Sequence, residues 1–136
     1  MLVRPAVLNF APYQLLMSEE LDIFPETGLT PDYQQLYKEV AAQLNKDFHP
    51  HVRMSTLPEI LSSSWLYDEV KKMLTEIVEH KQQALGYIVY RVDLSENLVN
   101  RTLKQSDSHN KLDELTAMVL KREAQKVWTR RNYRAD

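Results

Sequence analysis

Cysteine is absent from the 136 residues, and glycine occurs only twice, at Gly28 and Gly86. The first absence excludes disulfides, thiolate zinc sites, iron–sulfur clusters and cysteine nucleophiles together. The second is as restrictive, because average usage of about 7% would supply roughly nine or ten glycines in a chain of this length. Phosphate-cradling loops and dinucleotide folds need glycine where the backbone must approach a pyrophosphate, and a nucleophile elbow needs one on each side of its serine. None of those motifs can be written here. All-β domains also lean on glycine for tight turns, so the shortage favours helices joined by few loops. Long apolar runs are missing too. No stretch approaches the roughly 20 residues of a membrane-spanning helix. In the opening MLVRPAVLNFAPYQLLM, Pro5, Asn9 and Pro12 interrupt the apolar run behind Arg4, and no small-residue cleavage site succeeds it. Neither an export signal nor a membrane partner is expected, and the expected location is the cytoplasm.

Net charge is also small. Seventeen Lys+Arg against nineteen Asp+Glu leave −2, with 43% hydrophobic and 26% charged residues. This is the composition of an ordinary globular chain, and the length fits one domain.

Helical periodicity, by contrast, is abundant. Residues 1–29, punctuated by Pro5, Pro12, Pro25 and Gly28, read as an irregular N-terminal segment with a short helix near 13–23. Its Leu15, Leu16, Ile23 and Phe24 are suited to packing on the domain or on a partner. Residues 30–136 then read as a single all-α domain, a small bundle of three main amphipathic helices plus shorter ones. The first helix has Thr30 as its cap, Pro31 at the first helical position and Asp32 at the positive end. Tyr33, Leu36, Tyr37, Val40, Leu44 and Phe48 succeed one another at spacings of three and four. Pro50 should end it near Asp47 or Phe48. After a loop over 49–56, Thr56-Leu57-Pro58-Glu59 fits a capping box and predicts a short helix through Leu61. Ser64 is a candidate cap for the second main helix, unless the serines ride inside one longer helix.

The second main helix starts near Trp65, with Val70, Leu74, Ile77, Leu85 and Ile88 on one stripe. Tyr87–Leu94 alternates as a strand would and also continues the helical stripe; helix is preferred because a lone strand has no partner for its backbone. A continuous helix from 65 to 104 would be about 60 Å long, so a break is expected within Asp93–Glu96, where Asp93-x-x-Glu96 fits a second capping box. A helix to Gln105 and a polar loop over 106–110 come next. The third main helix is expected from about Asn110 to Arg131, with Leu112, Leu115, Val119, Leu120, Ala124, Val127 and Trp128 facing the core.

Chemistry is sparse by comparison. Glu76 and His80, one helical turn apart, and His49 and His51 around Pro50 are the only histidine arrangements with ligand-like spacing. Neither makes a ligand set, so no metal and no other cofactor is expected. Ser62–Ser64 has no base tied to it, and Arg101 and His109 straddle a loop without a defined spacing. No catalytic residue is assigned. Tyr87, Tyr90 and Arg91 share one helix face and are residue types enriched at interface hot spots. The basic end, with Lys126, Arg130, Arg131 and Arg134 interleaved with Trp128 and Tyr133, could contact nucleic acid or a partner protein. Residues 1–68 carry nine acidic and four basic side chains, and residues 69–136 carry ten and thirteen. The two halves are therefore of opposite sign. The expected function is a non-catalytic protein–protein interaction module whose partner is itself, as a homodimer, or another protein. A nucleic-acid-associated protein is the alternative, and a hydrolase or metal-dependent enzyme with a dispersed site the second alternative.

Overall fold

A computed structural model describes residues 31–104 and 108–135. The irregular segment 1–29, its short helix and the Thr30 cap lie outside the described residues. Five α-helices succeed one another: α1 (Pro31–Phe48), α2 (Ser63–His80), α3 (Leu85–Val92), α4 (Glu96–Leu103) and α5 (Ser108–Ala135), with a 3-10 turn at Gln82–Ala84 before α3. No strand occurs among the described residues, and the all-α bundle is as expected.

The apolar stripes meet in one core. Leu36, Tyr37, Val40, Leu44 and Phe48 of α1 are fully buried, as are Leu66, Val70, Leu74 and Ile77 of α2 and Leu120, Ala124 and Val127 of α5. At 28 residues α5 is about 42 Å long. It packs against each of α1, α2, α3 and α4. It starts two residues earlier and ends four residues later than its periodicity predicts.

Four local expectations are corrected. Thr56–Glu59 opens no helix. Leu61 is instead gripped by the Gln34 amide, which accepts from its N–H at 2.9 Å and donates to its carbonyl at 2.8 Å. That N–H is thereby withdrawn from any helical turn. Upstream, the Ser55 N–H donates to Glu69 at 2.9 Å. Side chains of α1 and α2 thus hold this stretch as a non-helical strap. The cap of α2 is Ser62 rather than Ser64; its hydroxyl accepts from the Trp65 N–H at 3.1 Å.

The expected long second helix breaks twice. The unforeseen break is at Lys81, where φ −140° and ψ 47° leave helical space. Its ammonium donates to the His51 carbonyl at 2.6 Å, fastening the break to the end of α1. The expected break in Asp93–Glu96 is present, but Asp93 ends a helix rather than starting one. It adopts the left-handed conformation, φ 72° and ψ 55°. The Asp93 N–H reaches the Tyr90 carbonyl and the Leu94 N–H the Val89 carbonyl, at 3.1 and 3.0 Å. This is the Schellman pattern, in a conformation that Asp tolerates better than most residues. Ser95 then caps α4 by accepting from the Leu98 N–H at 3.3 Å. Tyr87–Val92 is helical, as preferred.

Leu74→Ala or Ile77→Ala should lower stability by about 2–5 kcal/mol, and Ser62→Ala by about 0.5–2 kcal/mol. Gly86, in α3, has open space where a Cβ would sit. Gly86→Ala should therefore stabilise the bundle by about 0.4–1 kcal/mol. Urea denaturation of the four variants checks both the order and the sign.

Candidate functional site

Glu39, Gln43 and Asp47 recur every four residues along α1 and form one polar ridge beside its apolar stripe. Arg131, Arg130 and Lys126 descend α5 in the opposite direction and meet that ridge in order. Arg131 Nε donates to Glu39 at 2.9 Å, Arg130 to the Gln43 carbonyl oxygen at 3.0 Å and Lys126 to Asp47 at 2.6 Å. Gln43 passes the connection along by donating to Asp47 at 3.1 Å. Arg122 extends the series beyond α1, reaching the Asp93 carboxylate at 2.7 Å and its carbonyl at 3.1 Å. The outer end is wet, with the Glu39 and Arg131 side chains 32% and 30% exposed. The inner end is dry, with Asp47 at 3% and Glu123 fully buried.

At the dry end two carboxyl groups share one ammonium. Lys126 Nζ lies 2.6 Å from Asp47, 2.9 Å from Glu123, 3.1 Å from the Arg91 carbonyl and 3.4 Å from that of Val92. An ammonium has three protons for these four oxygens. Glu123 is the one left short, since among the described residues neither of its oxygens accepts a well-directed hydrogen bond. Burial, and then the hydrogen bond with Asp47, push the Glu123 carboxyl up to about 8 against the pull of Lys126. Its protonated form is therefore favoured well beyond that of an ordinary carboxyl. Burial alone would raise Asp47 as well, but hydrogen bonds from Glu123, Lys126 and Gln43 outweigh it and hold Asp47 below its ordinary value. The two carboxyls titrate as a coupled pair, Glu123 shifted up and Asp47 down.

The third helix at this point is α3. An Arg91 nitrogen lies 3.7 Å from Asp47. Arg91 also donates to the Tyr87 hydroxyl at 3.3 Å, and that hydroxyl donates to the His49 carbonyl at 3.1 Å. The His51 ring meets the Tyr87 ring edge-on at 4.9 Å, and the guanidinium carbon stands 5.8 Å from the Tyr87 ring centroid. The expected face of Tyr87, Tyr90 and Arg91 is thus divided. Tyr87 and Arg91 are fastened to the end of α1, while Tyr90 is 80% exposed.

Of the basic candidates, Lys126 is turned inward and Arg130 and Arg131 are engaged by α1; the Arg134 side chain lies outside the described residues. His80 lies 3.9 Å from Glu79. Among the described residues no group of three or more His, Asp or Glu could hold a metal ion, and no helix is long and apolar enough to cross a membrane. Sequence reasoning passed over Asp47 and Glu123. The available signal was Glu123 itself, a charge in the middle of the stripe Leu115, Val119, Leu120, Ala124, Val127.

This arrangement ties α1, α3 and α5 at one point and keeps the Glu123 carboxyl from solvent. No protein-family model matches the chain, and no curated protein and no solved structure matches it. Function is therefore read from the geometry.

Folding raises the Glu123 carboxyl from an ordinary 4.5 to about 8, so the folded state binds the extra proton between those values. This contribution is complete below pH 4.5 and is lost as pH rises toward 8, at up to about 1.4 kcal/mol per pH unit. Asp47 acts with the opposite sign, and its contribution is lost as pH falls through its lowered value. Urea midpoints should fall between about pH 5 and 8 in the natural protein and flatten in Glu123→Gln. Asp47→Ala should cost about 3–5 kcal/mol by stranding buried charge, and Glu39→Ala no more than about 1 kcal/mol.

Proposed function

We propose that this chain is a cytosolic, non-catalytic protein–protein interaction module that docks through the outer face of α3, with a second copy of itself as the partner. Tyr90 carries this reading. It is the most exposed large hydrophobic side chain among the described residues, on a helix whose Ile88, Val89 and Val92 are buried. Tyrosine and arginine are the types that dominate interface energetics. Beside Tyr90, Tyr87 and Arg91 are already fixed by bonds to the end of α1, so less side-chain entropy is lost on docking. Asp47 of α1 is answered by Lys126 of α5 and Arg91 of α3, an arrangement that orders a scaffold. Glu39 and Asp47 of the acidic half meet Arg131, Lys126 and Arg91 of the basic half within the chain, so these charges are not free for a head-to-tail contact between copies. Nucleic-acid binding is less favoured, because Lys126, Arg130 and Arg131 are committed to α1.

Light scattering or sedimentation across a dilution series tests this. The full chain should be a dimer at tens of micromolar, and Tyr90→Ala should weaken it by about tenfold or more, the loss that marks a hot spot. A monomer at every concentration, or a dimer indifferent to Tyr90→Ala, would refute the α3 interface between copies.

A further inference from the structure

The strap between α1 and α2 leaves a second apolar patch. Leu57 and Ile60 are 40% and 57% exposed, while the next residue, Leu61, is buried. The Gln34 amide, through its paired hydrogen bonds to Leu61 at 2.8 and 2.9 Å, fixes this patch beside the first turn of α1. Half-buried Tyr33 packs on the core at the same end, its ring 6.1 Å from that of Tyr37. The α3 face lies at the other end of α1, where Tyr87 bonds to His49.

Thirty residues precede Pro31, and their apolar side chains include Leu15, Leu16, Ile23 and Phe24. We infer that residues 13–24 of the same chain cover the Leu57–Ile60 patch. The covalent connection selects this occupant. Phe24 is seven residues before Pro31, a tether of at most about 25 Å. The patch is one helical turn and one glutamine side chain from where that tether is anchored. Such a tether places the segment at an effective concentration of order millimolar, so a free second copy at micromolar concentration competes poorly for the same surface. The α3 face, a full helix length of about 27 Å from Pro31, has no such advantage. The inference is independent of the α3 interface, and the two can fail separately.

The cysteine-free chain permits single-site spin labelling of the full-length protein. A nitroxide at Glu59→Cys, an exposed position that leaves Leu57 and Ile60 in place, should strip most of the amide intensity from residues 13–24 in nitrogen-15 spectra. The same label at Glu96→Cys, on α4, should not. Adding Leu57→Asp and Ile60→Asp to the Glu59→Cys protein should restore those amides while the bundle resonances persist. Equal effects from both label sites, or none from Glu59→Cys, would overturn the inference. So would broadening that arises only when labelled and unlabelled chains are mixed, since the occupant would then be a second copy.

Discussion

An ammonium buried against two carboxyl groups is a severe local constraint. Lys126 lies between Asp47 of α1 and Glu123 of its own helix, and it also holds the last carbonyls of α3. Removing these charges from water costs several kcal/mol each unless every one is answered by a partner. Three helices must therefore arrive in one register. A shift of α5 by a single turn would bring Arg122 or Arg130 to Asp47 and carry Lys126 and Glu123 together away from Asp47 and from the carbonyls that end α3. Apolar packing alone tolerates such slippage better than a buried ion cluster does. The remaining rungs, Gln43 with Arg130 and Glu39 with Arg131, are wetter and weaker. They continue the register toward the surface rather than setting it.

The same cluster gives α3 its place. That helix is only eight residues long, too short to be stable alone. Its C-terminal carbonyls are met by Lys126, its Arg91 reaches Asp47, and its Tyr87 reaches the end of α1. Tyr90 is the most outward of these residues, 80% exposed against 37% for Tyr87. An exposed aromatic on an element fixed from three sides is a different object from one on a mobile loop, because its ring is presented in a defined direction.

Much of the architecture was legible in the sequence because apolar spacing and capping act locally. The stripes of α1, α2 and α5 and the break at Asp93–Glu96 obey such rules. The break at Lys81 does not. No proline or glycine marks it, and it is held by a bond to the His51 carbonyl thirty residues away. The Thr56 capping box failed for a similar reason: Gln34, distant in sequence, took the Leu61 N–H that a helix would have used, and Glu69 held the chain just upstream. At the candidate site, Tyr87 and Arg91 were visible as a pair at helical spacing, but not the partners that fasten them. The basic residues of α5 looked like a surface because the ridge they face, Glu39, Gln43 and Asp47, belongs to a helix at the far end of the chain. Charge summed over the halves showed the asymmetry without showing that Glu39 and Asp47 meet basic residues of the other half within the chain.

The seam between α1 and α5 joins residues 79, 87 and 92 positions apart. Loops of that length carry a closure entropy that must be met before any of these bonds forms. Synthesis proceeds from the N-terminus, so α1, α2, α3 and α4 leave the ribosome before the helix that packs against all of them. Until α5 emerges, Asp47 has no lysine and the stripe of α2 has no main partner. The helix made after the other four is the one that closes their core, so the fold of all five waits on it and the nascent form needs protection from association in the meantime.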